Sequence, residues 1–289
     1  MNHIKEYSCR YFLLLMLTIN ATSIAQAQPT LNYFQVDGRY NYRTELLQLA
    51  LSYSDQVPLL IARPDIPVAR GMDLMAKGDI AGIISGATNR TREAQLHAIK
   101  IPILAGILGM RVFLIHRDDQ TAFSKIKKIN DLQSFVAGFG EHWADIKILR
   151  ENKLPVEAVA KYSSLFDMLN AKRFDYFPRG INEIYGEYET HKGKLTHIAI
   201  EQELAIYYPY PTYFFVRKQD VTLAEIIYSG LNKALADGKF KALFLRHHRE
   251  LLAKLSFDQR IIFTLKNDSL PEDAEVKNRH WWFDESRIE

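Results

Sequence analysis

A chain of 289 residues that is 47% hydrophobic is too apolar to remain disordered and long enough to bury one large core or two modest ones. Its 37 basic and 34 acidic residues leave a formal charge of only +3 and are interspersed, so the basic stripe that a nucleic-acid partner would need is missing and none is expected. The one cysteine, Cys9, lies near the N-terminus, which leaves the rest of the chain without disulfides, thiolate chemistry or cysteine-bound metal.

Residues 1–27 read as a leader. Lys5 and Arg10 precede an apolar stretch, Tyr11 to Ile19, that is too short to span a bilayer, and Ala25-Gln26-Ala27 forms a small-x-small cleavage site. Cys9 stands before the apolar stretch, where it cannot be a lipid-modified residue. Cleavage removes two positive charges and one negative, taking the charge from +3 to +2, and predicts export to the periplasm without an anchor.

Strands and helices alternate from Leu31 onward. A strand over 31–36 leads to a helix over 44–53 with Leu47, Ala50 and Leu51 on one face, and 57–62 is the next strand. Pro67 opens a helix that carries Val68, Met72, Met75 and Ala76 at helical spacing and stops at Gly78, and 79–85 is a third buried strand. This rhythm predicts a parallel sheet covered by helices. It resumes with strands at 109–117, 134–140, 156–160, 173–177 and 195–201, and with helices from Trp143 and Ser164. "YYPYPTYFFVRK" (207–218) places two prolines ahead of another strand, as suits a crossing between domains. Thr222 and Glu225 have the spacing of a capping box for a helix that ends at Asp237-Gly238, and a Trp-rich tail, "RHWWFDE", finishes the chain.

The order of short motifs in this chain resembles the type II periplasmic solute-binding proteins, in particular the family 3 group associated with polar amino-acid uptake. Gly78-Asp79-Ile80, Ser85, Thr88, Arg92 and Ile101-Pro102 stand in the order of that family's glycine-aspartate strand, hydroxyl-rich loop, arginine and proline segment. The resemblance covers almost all of the chain beyond the leader. It implies an α/β, two-lobed, hinge-connected fold, with lobe 1 formed by 28–114 and 212–289 and lobe 2 by 115–211. A small polar or anionic solute, amino-acid-like or an organic acid, would bind in the cleft of a monomer and pass to an ABC permease, with no cofactor. Ligand contacts would then fall on loops beyond the carboxyl ends of strands.

Arg92 is the leading candidate for a carboxylate, with Thr88 and Ser85 as hydroxyl donors beside it and Arg90 as its rival in the same loop. Arg179 follows the apolar run "FDYFP" and is boxed between Pro178 and Gly180, so its guanidinium is aimed. With Glu183 one turn later it either contacts ligand or forms a latch between strand and helix. The segment Gly138 to Trp143 reads as a backbone cradle for an anion or polar group, with Trp143 stacked on ligand or packed on its helix, and Tyr33, Tyr40 and Tyr42 offer an aromatic wall.

Motifs of metalloproteases, serine hydrolases, P-loops and EF-hands are all missing from the sequence, and the nine histidines are scattered. No metal is therefore expected. Besides the receptor, two readings stay open: an exported enzyme on the same scaffold (dehydratase-like) that uses Glu183 or Asp175 as a base, and an orphan sensor domain.

Overall fold

The computed structural model describes residues 30–35, 41–55, 58–141, 143, 145–255 and 259–274; the stretch read as a leader, Tyr40 and the Trp-rich tail lie outside them. The chain first forms β1 (Thr30–Tyr33), α1 (Asn41–Leu51), β2 (Leu59–Ala62), α2 (Val68–Lys77), β3 (Gly82–Ala87), α3 (Arg90–Gln95) and β4 (Leu96–Ile99). There follow β5 (Met110–His116), α4 (Gln120–Phe123), α5 (Ile129–Leu132), β6 (Ala137–Gly140), α6 (Ile146–Glu151), β7 (Val156–Val159), α7 (Tyr162–Asn170), β8 (Tyr176–Gly180), α8 (Ile181–His191), β9 (Ile198–Ile200) and β10 (Leu204–Tyr207). The last described elements are β11 (Thr212–Arg217), α9 (Val221–Ala236), α10 (Lys239–Leu255) and β12 (Ile261–Thr264).

Two mixed sheets result. The first has the order β2-β1-β3-β11-β4, with β1, β2 and β3 parallel and β11 antiparallel to both of its neighbours. The second runs β12-β10-β5-β8-β6-β7, with β9 also pairing on β5. The elements predicted over 31–85 are present with ends shifted by up to three residues, and the sheet expected to be parallel is mixed because β11 enters it antiparallel. The Pro67 and Gly78 boundaries of α2 are as read: Gly78 is left-handed at φ 83° and donates its N–H back to Leu74 and Met75. At α9 the capping box does not form. The helix begins two residues earlier than that box would start it, at Val221 after Asp220, whose carboxylate is taken by Arg217 at 2.7 Å.

The sheets divide the chain differently from the lobe boundaries expected at 114/115 and 211/212. All of β5 belongs to the second sheet, so the first crossing falls before Met110. Strand β12 also joins that sheet, parallel to β10 from Leu204↔Ile261 to Tyr207↔Thr264, although 212–289 was assigned to the first lobe. The cause is apolar burial: Phe263 and Leu265 complete the cluster formed by Leu204, Ile206 and Tyr208.

The largest core cluster runs through both sheets. Leu46 and Leu47 of α1 and Ile227 and Leu231 of α9 pack on the first, and Phe166 of α7 and Ile184 of α8 on the second, with Ile101, Ile103 and Ile107 of the crossing between them. Helices α8 and α10 meet at the seam, where the Tyr185 hydroxyl donates to the Lys254 carbonyl at 2.7 Å.

Helices α1 and α9 approach so closely that a Cβ on Gly230 would lie 1.9 Å from the Ala50 carbonyl oxygen, whereas one on exposed Gly186 of α8 would meet nothing within 4 Å. Gly230→Ala is therefore expected to lose about 2 kcal/mol in urea unfolding and Gly186→Ala to gain up to ~1 kcal/mol. Equal effects at the two sites would contradict this packing.

His248 is wedged between the rings of Tyr42 (4.8 Å) and Phe244 (4.6 Å), and its Nδ1 donates to the Phe244 carbonyl at 2.9 Å. Burial pushes its pKa down to about 4, with the charges of His247 and Arg43 acting in the same direction and the Phe244 bond opposing. The unfolded chain, with a histidine pKa near ~6.5, then binds the proton more readily than the folded one. This contribution is complete above about pH 6.5 and is lost as the pH falls toward 4, by about 3 kcal/mol. Replacing His248 with Asn should remove that slope from the pH dependence of urea unfolding.

Candidate functional site

Every residue of β8, including Arg179, is buried. The sequence reading put Arg179 on a loop after a strand at 173–177; it is the fourth residue of a strand that starts later. Strand β8 pairs antiparallel with β5 in the register Val112↔Arg179 and Arg111↔Gly180. Successive residues of a strand face opposite ways, so Arg111 and Arg179 leave the same end of the sheet from its two faces. A guanidinium in such a position has to be paired.

The pairing of Arg179 comes from the helix that follows it. Glu183 and Glu187 stand one turn apart on α8, so both carboxylates look back over β8. Arg179 donates through Nε and Nη2 to Glu187 at 2.6 and 2.5 Å, and Nη2 lies 3.0 Å from Glu183. The guanidinium also sits over Trp143 (4.7 Å to the ring centre) and Phe177 (5.0 Å). Burial opposes its charge, but Glu187 and Glu183 outweigh burial and hold its pKa above the usual arginine value. The latch of the sequence reading is thus formed, and Glu187, which that reading omitted, is its closer partner.

Arg111 is held by different groups. Its Nε donates to the Tyr208 hydroxyl at 2.7 Å and its Nη2 to Asp145 at 2.6 Å, and the Tyr208 hydroxyl in turn donates to Asp145 at 2.6 Å. Glu183 lies 3.7 Å from its Nη1 and so stands between the two arginines. Burial lowers the Arg111 pKa, and Tyr208, Asp145 and Glu183 more than reverse that.

These groups enclose a cavity of about 360 Å³ at the carboxyl ends of β6 and β8, lined by Arg111, Asp145, Arg179 and Glu183 with the rings of Phe139, Trp143 and Tyr210. Tyr210 comes from the connection between the sheets, and burial pushes its hydroxyl up to about 12. Trp143 crosses edge-to-face on Phe139 at 4.9 Å. Its ring lies where a Cβ on Gly140 would be, at 2.5 Å, so only glycine fits there.

Of the residues singled out in the sequence, Arg179, Glu183 and Trp143 line this cavity. Arg92 does not, although it is close enough to Tyr210 for the two to interact electrostatically. It is half-buried, donates to the Ala87 carbonyl and lies over Phe215 at 5.7 Å; burial lowers its pKa, and Tyr210 acts against that. Among the described residues no carboxylate pairs with it. Its rival Arg90 is exposed and donates to the Asp268 carbonyl at 2.7 Å.

The hydroxyls expected beside Arg92 are engaged elsewhere. Thr88 donates to Glu93 at 2.5 Å, and Ser85 donates to Gln35 at 2.7 Å and accepts from Arg43 at 3.1 Å. In the segment read as a backbone cradle, the N–H groups of Glu141 and Trp143 are bonded to Val159 and Gly140, and His142 lies outside the described residues. Asp175 accepts from the Val136 N–H at 2.6 Å and is no part of the cavity. Arg111, Asp145 and Tyr210 escaped the sequence reading, and Phe139 entered it only as part of the segment Gly138 to Trp143. A lone charge at the start of the apolar strand "MRVFLIH" was the available signal for Arg111. Among the described residues no cluster of three or more His, Cys, Asp or Glu is placed to hold a metal.

No family model matches the sequence, and no curated protein matches it. Among solved structures the chain is similar to an ancestral arginine-binding protein bound to glutamine, at 14% identity and a TM-score of 0.50, over 72% of this chain and 86% of that one. It is also similar to a Bacillus subtilis protein from a structural-genomics programme, at 14% identity and a TM-score of 0.50, over 78% of this chain and 87% of that one. The chain has the fold of the type II solute-binding proteins, as its motif order implied.

Removing Glu187 leaves a buried guanidinium with one longer contact. Glu187→Ala is expected to cost about 2–3 kcal/mol in urea unfolding, and Glu141→Ala, at an exposed position, less than ~0.5 kcal/mol. A neutral result at Glu187 would show that Arg179 is not held by it.

Proposed function

We propose that the protein is a solute-binding receptor that takes a small polar molecule into the cavity at the ends of β6 and β8. The observation that carries this reading is the cavity itself: about 360 Å³, with charged groups fixed by hydrogen bonds and three aromatic rings, on a fold that places it beside the connection between two sheets. Arg111 and Arg179 act as a rigid frame, Glu183 presents the more exposed carboxylate, and Trp143 and Tyr210 form walls. Arg92, on the first-sheet side of Tyr210, is the contact for a solute long enough to reach it. Closure would bring the first sheet toward this frame.

The leader-like pattern of residues 1–27 supports export to the periplasm. In this proposal the receptor works as a monomer and hands its solute to an ABC permease, and binding, not bond breaking, is its chemistry. An enzyme reading is left with Glu183 as the base, since Asp175 is engaged with Val136.

The test is a thermal-shift screen of residues 28–289 against amino acids, amines and small organic acids. A ligand at a hundredfold excess over Kd should raise the melting temperature by roughly 5 °C or more. Tyr210→Ala should abolish the shift, and the ligand should be recovered unchanged by mass spectrometry. A compound consumed during incubation would instead establish the enzyme reading.

A further inference from the structure

Resting on that proposal, we infer that the cavity selects an organic cation, and that an ammonium or guanidinium group without any carboxylate is enough to occupy it. The first reason is the state of the two arginines. Each donor group of Arg111 faces a protein partner: Nε on Tyr208, Nη2 on Asp145, Nη1 toward Glu183. Arg179 is bidentate on Glu187, with Glu183 at 3.0 Å and rings over its face. A ligand carboxylate would meet arginines whose charge protein carboxylates already balance, and would gain little net interaction from them.

The second reason is the balance of charge. Two guanidiniums stand against three carboxylates, Asp145, Glu183 and Glu187, so the group carries one net negative charge. The carboxylate nearest solvent is Glu183, whose side chain is 38% exposed; Arg111, Asp145 and Arg179 are all below 9%. Its contacts, with Arg179, Arg111 and the Gly180 N–H, all use Oε2. Oε1 is the acceptor left for a ligand. The third reason is the remaining wall, which is made of the rings of Phe139, Trp143 and Tyr210 and adds no positive charge to set against that balance.

The experiment titrates residues 28–289 by calorimetry with choline, putrescine and agmatine as carboxylate-free cations, succinate and glutarate as anions, and glutamine and arginine as zwitterions. At least one bare cation should bind, at least tenfold more tightly than either anion. Glu183→Gln should weaken that binding tenfold or more, and Trp143→Leu should weaken it independently should the first variant prove poorly folded. Binding of an anion in preference to every cation, or binding confined to zwitterions, would overturn the inference while upholding the receptor. Cation binding untouched by both substitutions would place the cation elsewhere and also overturn it. Failure of all seven probes, together with an empty thermal-shift screen, would remove the receptor reading itself.

Discussion

Two guanidiniums buried at one end of one sheet cannot stay charged without carboxylates, and that requirement organises the region around them. The β5–β8 register brings Arg111 and Arg179 to adjacent strands on opposite faces, so no single acid can serve both fully. Glu187 answers one and Asp145 the other, and Glu183 lies across the sheet end between them at 3.0 and 3.7 Å. Helix α8 has to begin immediately after β8 for its first two turns to place both glutamates there. The cavity's charge thus follows from what a low-dielectric site demands of arginine.

The seam between the sheets is a second constraint. The chain crosses from β4 to β5, again from β10 to β11 and a third time between β11 and β12, and the first two crossings touch: the Tyr208 N–H donates to the Gly109 carbonyl at 3.2 Å, and a Cβ on Gly109 would lie 1.9 Å from the Tyr208 carbonyl oxygen. Beyond β12 the chain returns toward the first sheet, where Arg90 holds the Asp268 carbonyl and Lys100 pairs with Asp273. The core cluster shared by both sheets adds the contact of α8 with α10. Any closing motion must pivot on this packed seam.

What could be read from the sequence was whatever depends on local periodicity. The run from β1 to β3, with proline before α2 and left-handed Gly78 after it, needs only neighbouring residues to specify it. Strand β12 was missed because "IIFT" is short and its partner, β10, lies over fifty residues away. Arg179 was recognised as unusual, but its two fates, latch and ligand contact, differ by the position of Glu187, two helical turns away. Asp145 and Arg111 are separated by 34 residues and meet only because β5 and the start of α6 share a sheet end. Non-local pairings of this kind leave no period to detect.

Arg92 shows what distinguishes a structural cation from an available one. Arg111 and Arg179 are more deeply buried, yet their charge is secured by acids; Arg92 is half-buried, has a carbonyl and an aromatic ring for company, and is the one of the three in which the lowering of the pKa by burial is not outweighed. An anion placed beside it would restore interactions lost with water, which none of the acids among the described residues does. Because it sits past Tyr210 and does not line the cavity, only a solute extended enough to pass that ring would reach it. In the receptor proposed, charge would decide what enters between Trp143 and Glu183, and length would decide whether the first sheet takes part in holding it.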